Sequence, residues 1–208
     1  MINTYVGPMF SGKSDSLINI YSKIWNKDIV MAFKPKNDDR DEDEVKSKNS
    51  DLTIPAIYIE YLEEIYDHLE AKQKEGINIR TIFIDEAQFL KGSTDVLIDL
   101  TINYGIDFYI AGLNMTSEQK PFGLMPNIMA VSDNVEVIRG FCVECNKPSV
   151  YTYFAGEKID DVQVGDAGYT SLCPDCLSKK IKVRSRVKDA RKTYNNRRNW
   201  LFWKRNSK

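Results

Sequence analysis

Short apolar runs alternate with amphipathic stretches along the first 139 residues. Ile2–Val6 is an apolar run that stops at Gly7-Pro8 and predicts a strand. A helical pattern opens near Ser14, with Leu17, Ile18, Tyr21 and Ile24–Trp25 at helical spacing. Ile29–Phe33 predicts a second buried strand. Lys34–Asp51 is dominated by Lys, Asp, Glu and Asn and lacks apolar periodicity, which predicts a flexible loop. Ala56–Ile59 predicts a third strand. Leu62–Lys74 predicts a helix with Leu62, Ile65, Tyr66 and Leu69 on one face, capped near Gly76. The chain's only histidine, His68, falls on this helix and reads as a surface or helix-face residue. Thr81–Ile84 is a β-branched apolar run ending at Asp85. Thr94–Asn103 predicts a helix closed by Gly105, and Phe108–Ala111 and Val135–Arg139 predict two further strands. Strands alternating with helices predict an α/β fold with a mainly parallel sheet covered on both faces.

After Gly140 this alternation ends. Two C-x-x-C pairs, Cys142/Cys145 and Cys173/Cys176, flank a segment, Tyr151–Leu172, with glycines and acids but no helical period. Three regions follow: 1–139 as the α/β domain, 140–178 as a small metal-stapled appendage, and 179–208 as a tail. Buried thiols or a redox pair are the alternatives for the cysteines. Two pairs 27 residues apart favour a structural zinc ribbon over either.

Composition adds a charge asymmetry. The 208 residues carry 29 bases and 30 acids, and 42% are apolar, enough for a real core. Lys179–Lys208 holds 13 Lys and Arg against Asp189 alone, a charge of +12. Residues 1–178 keep 16 bases and 29 acids, a charge of −13. Ile181, Val187, Ala190 and Tyr194 form a loose helical stripe in this tail, and Trp200-Leu-Phe-Trp203 is an aromatic cluster among Arg197, Arg198, Lys204 and Arg205. A solvated helix with a frayed end is the plain reading. Nucleic-acid contact by charge and stacking, membrane-surface contact, and docking within an oligomer are the sharper ones. No apolar run approaches the ~18–20 residues of a membrane span, and the N-terminus lacks a secretion-signal pattern, so a cytoplasmic protein with no membrane partner is expected.

Gly7-Pro8-Met9-Phe10-Ser11-Gly12-Lys13-Ser14 satisfies G-x-x-x-x-G-K-[ST], between a predicted strand and a predicted helix. Glycines let successive N–H groups turn inward around phosphate oxygens, and the helix start adds its positive dipole end. Lys13 supplies a point charge to the β- and γ-phosphates of ATP, and the Ser14 hydroxyl is a ligand for Mg2+. Asp85, at the end of an apolar strand, occupies the position of a second metal-holding carboxylate, with Glu86 facing the reaction centre. The competing readings are a chance glycine-rich turn and solvated acids at a strand end.

These motifs resemble the type II thymidine kinase family, the tetrameric cellular and poxvirus group. The resemblance runs from about Ile2 to Cys176. It rests on Gly7–Ser14, Lys34-Pro-x-x-Asp38-x-Arg40, Asp85-Glu86-Ala-Gln88-Phe89, Gly112-Leu113 and Lys120-Pro-Phe122-Gly123. Cys142-x-x-Cys145 with Tyr151-Thr152, then Val164-Gly165-Asp166 with Tyr169 and Cys173-x-x-Cys176, complete the series. The resemblance implies a P-loop, RecA-like sheet domain and a small zinc-ribbon and lasso domain, with thymidine and ATP as substrates. Glu86 resembles the general base that takes the proton of the thymidine 5′-hydroxyl. Asp38, Arg40, Asp85 and Gln88 join the P-loop in the ATP and Mg2+ site, with Arg40 contacting phosphates. Phe89, Ser117, Phe122, Thr152, Val164, Gly165 and Tyr169 are the matching nucleoside-site positions. Ser117 stands where the family usually has an aromatic residue stacking on thymine, so Phe89 and Phe122 are the aromatic candidates for that space. The four cysteines resemble a closed structural Zn2+ site anchoring the lasso, and a homotetramer is implied. Two other functions fit parts of the pattern. A P-loop DNA-handling ATPase with a zinc ribbon would suit the basic tail. A non-catalytic nucleotide-binding module would need the base to be lost, yet Glu86, Asp85, Lys13 and Ser14 are all present.

Overall fold

The computed structural model describes residues 1–36, 44–47, 50–156, 167–181 and 192–194. Asp38, Arg40, Val164, Gly165 and most of the basic tail lie outside the described residues. The chain divides into two compact units, Met1–Cys173 and Pro174–Lys208.

The first unit opens with β1 (Ile2–Val6), α1 (Lys13–Lys23), β2 (Val30–Pro35), β3 (Glu44–Ser47), β4 (Ser50–Pro55), β5 (Ile57–Ile59) and α2 (Glu64–Lys74). It continues with β6 (Thr81–Ile84), a single 3-10 turn at Ala87–Phe89, α3 (Asp95–Tyr104), β7 (Asp107–Gly112), α4 (Met125–Val131) and β8 (Asn134–Val137). Four short strands close it: β9 (Gly140–Phe141), β10 (Pro148–Ser149), β11 (Tyr151–Phe154) and β12 (Tyr169–Leu172). In the second unit the described element is helix α5 (Pro174–Lys180).

Six strands form one sheet in the order β5-β2-β6-β7-β1-β8, and every pairing in it is parallel. The inner strands are buried on both faces, which explains why β6 reads as an unbroken apolar run: Ile82, Phe83 and Ile84 are all fully buried, whereas the edge strand β8 is largely exposed. Successive residues feed opposite cores. Phe33, Ile82, Ile84, Phe108 and Ile110 face α2, α3 and α4 through Ile65, Leu97, Leu100 and Ile128. Ala32, Phe83 and Ala111 face the other way, against Leu17 and Ile18 of α1. Gly105 ends α3 in the left-handed conformation, φ 66°, and the buried Ile106 donates its N–H to Leu100 O at 3.2 Å.

One expectation is corrected and one element is added. The segment Lys34–Asp51 is not all loop: β3 and β4 pair as an antiparallel hairpin. The hairpin contributes Val45 and Ile54 to the α1-side core, both essentially inaccessible to water. One inward apolar residue per strand leaves no period to read. The short helix α4, with Pro126 in its first turn, carried no sequence signal long enough to predict. Elsewhere the expected strands and helices form, β1 and β6 with the expected boundaries and the others shifted by one or two residues.

β9 pairs with β10, and β11 with β12, both antiparallel. No helix among the described residues is long and apolar enough to cross a membrane.

Candidate active site

The P-loop follows β1 directly. Gly7 is required by crowding, since a Cβ there would lie 2.2 Å from the Ile138 carbonyl oxygen. Gly12 caps α1 in the left-handed conformation, φ 86°. Phe10, between them, also has a positive φ of 63°, an uncommon state for a residue with a side chain. Lys13 is buried at 8% exposure and its Nζ donates to Pro8 O at 2.8 Å. Ser11 Oγ is buried with no hydrogen-bond partner, so an unsatisfied hydroxyl belongs to the loop itself.

The carboxylates arrive from β6, with β7 lying between β6 and β1. Ser14 donates its hydroxyl hydrogen to Asp85 Oδ2 at 2.8 Å, which joins the two motifs into one site. Asp85 is 5% exposed. Burial pushes its carboxyl up to about 6, and the adjacent Glu86 charge adds to the rise; Ser14, the Glu86 N–H and Lys13 oppose it. A hydroxyl and a carboxylate this close form an all-oxygen donor pair that fits a hard divalent cation. Glu86 adopts φ 51°, donates its N–H to Asp85 Oδ1 at 2.9 Å, and accepts a hydrogen bond from Gln88 Nε2.

The aromatic candidates fall into two pairs. Phe89 and Phe122 meet edge to face at 5.4 Å. Tyr169 lies opposite Phe154 across β11 and β12, its ring 4.8 Å away. Ser117 sits in the turn between Met115 and Pro121, and its carbonyl accepts from Gln119 Nε2. Thr152, 5% exposed, accepts a hydrogen bond from the P-loop amide of Met9 at 2.9 Å. Sequence reasoning had no means to foresee this bond, because its partners are 143 positions apart. Lys34 was singled out only by its motif. It is 2% exposed, and its Nζ donates to Glu44 O at 3.1 Å, holding the base of the β3–β4 hairpin.

The sulfur atoms of Cys142, Cys145, Cys173 and Cys176 lie within 4.8 Å of one another. The Cys145–Cys173 separation is 3.6 Å, too long for a disulfide and close to the ~3.8 Å edge of a tetrahedron with ~2.3 Å zinc–sulfur bonds. Burial raises the Cys142 thiol, but the backbone N–H groups of Cys173, Glu144 and Cys145 outweigh it and draw the group down to about 6. That favours the thiolate, the form that binds metal. The turn Cys142–Asn146 is closed by Asn146 N–H donating to Cys142 O at 2.8 Å, with Asn146 at φ 58°. The donor set therefore fits zinc.

The arrangement matches known proteins. The family model described as thymidine kinase matches residues 1–177. The thymidine kinase of Mesomycoplasma hyopneumoniae (strain 7448) is 32% identical over 183 residues, 86% of this chain and 95% of its own. That of Mycoplasma genitalium is 34% identical over 173 residues, 80% of this chain and 78% of its own. The thymidine kinase of Aster yellows witches'-broom phytoplasma is 35% identical over 144 residues, 68% of this chain and 66% of its own. With a P-loop and an Asp-Glu strand end joined in one site, and with a family match spanning most of its length, this chain belongs to the thymidine kinase family.

Proposed function

We propose that the chain transfers the γ-phosphate of ATP to the 5′-hydroxyl of thymidine, giving dTMP and ADP. The observation that carries the reading is the 2.8 Å bond from Ser14 to Asp85, which brings the phosphate loop and the carboxylate pair together within a chain of this family. In this reading Gly7–Ser14 hold the phosphates, and Lys13 offsets the charge of the transferring group. Glu86 takes the proton of the 5′-hydroxyl as that oxygen bonds to the γ-phosphorus, and the bond to the β,γ-bridging oxygen breaks to release ADP. Ser14 and Asp85 would hold Mg2+, which when bound draws charge from the phosphate oxygens. Arg40 and Asp38 belong to the phosphate side by resemblance. Phe89, Ser117, Phe122, Thr152, Val164, Gly165 and Tyr169 are proposed for the nucleoside side.

The four cysteines are proposed to hold one structural Zn2+, and a cytoplasmic homotetramer is the proposed form. Nucleic-acid contact by the tail is proposed from its charge and its Trp200–Trp203 aromatic cluster. The test is ADP release from ATP with thymidine, with DNA, and with neither. Thymidine-dependent release supports the reading. Release stimulated by DNA and indifferent to thymidine would replace it with a DNA-handling ATPase.

A further inference from the structure

Gln88 lies in the 3-10 turn after β6 and is 2% exposed. A primary amide that deeply buried needs partners for both ends. The N–H of Leu113 donates to its Oε1 at 2.9 Å. A backbone N–H can only donate, so this bond fixes which end of the amide is oxygen. The NH2 group therefore faces the other way, where it donates to Glu86 Oε2. Gln88 thus bridges the end of β7 to the Glu86 carboxylate.

The backbone around it is shaped to admit it. A Cβ at Gly112 would stand 2.8 Å from Gln88 Oε1 and 2.6 Å from Met125 Sδ. A Cβ at Gly123, which has φ 48°, would stand 1.9 Å from the Gln88 carbonyl oxygen. Two glycines from separate segments let the chain close over this residue. Glu86 leaves the backbone from a left-handed conformation, and a glutamate side chain has three rotatable bonds to immobilise before it can act from one place.

We propose that Gln88 is a positioning residue for the reaction: it transmits the fixed position of the Gly112–Leu113 backbone to the Glu86 carboxylate and holds that carboxylate facing the acceptor hydroxyl. In this proposal its amide works through Glu86, with one end taken by Leu113 N–H and the other by the Glu86 carboxylate, in place of the direct contact with ATP that the resemblance implies. The proposal rests on the reading of Glu86 as the base.

The experiment is a double-mutant cycle on the full chain, using Gln88→Glu, Glu86→Gln and the combined variant, with kcat and both KM values measured. Gln88→Glu keeps the size and the acceptor for Leu113 N–H but replaces the donor facing Glu86 with a second carboxylate, so the bond is lost and repulsion is added. The expected result is a kcat loss of about 10–100-fold, the worth of a hydrogen bond to a charged group. KM for ATP should change by less than about twofold, as expected for an effect confined to the transition state. In the Glu86→Gln background the same substitution should cost less than about twofold, because its target is gone. Equal losses in both backgrounds, or a Gln88→Glu enzyme with near-normal kcat, would overturn the proposal while leaving the base reading intact. A Glu86→Gln enzyme with near-normal kcat would remove the base reading and this proposal with it. Should Gln88→Glu fail to fold, Gln88→Met removes the donor without adding a charge; it also removes the acceptor for Leu113 N–H, but that loss is common to both Glu86 backgrounds and cancels in the cycle.

Discussion

The Met9 amide and the Thr152 hydroxyl meet at 2.9 Å in a buried hydrogen bond, so the phosphate loop is pinned from outside by a strand of the cysteine-bearing segment. Thr152 lies opposite Ser171 across the β11–β12 pair. Thr152→Val keeps the shape and leaves the buried Met9 N–H without its acceptor. A loss of about 1–3 kcal/mol in unfolding free energy is expected, read by urea denaturation, with Thr152→Ser close to wild type. Superposed curves for the Val variant and the wild type would show that the bond contributes nothing.

Lys13 brings a cation into the phosphate loop from a nearly buried position. Lys13→Ala should lower thymidine-dependent ADP release by at least about 10²–10³-fold, the usual cost of removing one fixed electrostatic stabiliser. Near-normal turnover would exclude the loop from the chemistry.

Zinc is expected at one ion per chain by elemental analysis. Its removal should lower the melting temperature by at least ~5 °C, because metal-binding free energy at such sites is folding free energy. KM for ATP should rise as well as KM for thymidine, since Thr152 carries the contact to Met9. Metal-free protein with unchanged melting and unchanged KM values would reject this.

A pH-dependent contribution to stability comes from the contact between α2 and α3. Tyr66 donates its phenol hydrogen to Asp99 Oδ2 at 2.6 Å. Burial first, then the Asp99 bond and charge, push the Tyr66 phenol up to about 12. The same bond, with one from Asn103, holds the Asp99 carboxyl below its ordinary range. An unfolded tyrosine titrates near 10. The folded state therefore holds the proton more tightly, and the stabilisation is fully present below about pH 10 and lost as pH rises through 12. Denaturation of wild type and Tyr66→Phe across this range should give a stability difference that shrinks steadily above pH 10. The Asp99 side has the opposite sense: its share is present above about pH 4 and lost in acid. A difference constant from pH 8 to pH 12 would contradict the Tyr66 assignment.

What could be read from the sequence depended on how local the cause was. The P-loop between β1 and α1 needs only neighbours in the chain, and its glycines, Lys13 and Ser14 declare it. The β6 run ending in Asp85 and Glu86 is equally local. The β3–β4 hairpin was hidden because Val45 is a single apolar residue amid charges and Ile54 stands between Thr53 and Pro55, and both are buried only once α1 is in place. Helix α4 was hidden by its seven-residue length and Pro126. Among site residues, Gln88 could be named from its motif but its partners could not. Leu113 N–H and the space left at Gly112 and Gly123 exist only after β7 and the following loop have packed.

The strand ends around β6 are not level. Ile84, its last residue, pairs with Ile110 of β7 and Phe33 of β2. β7 runs on to Gly112 and β2 to Pro35, two residues farther on each side. The sheet edge therefore has a notch one strand wide and roughly 6–7 Å deep, and Asp85 and Glu86 rise from its floor. Its side walls are main chain, held to the rest of the sheet by ladder hydrogen bonds, so side-chain substitutions can change what lines the notch but not its width. The room available at the acceptor end is in that sense written into strand length, and an insertion that extended β6 by two residues would close it while every catalytic side chain remained in the sequence.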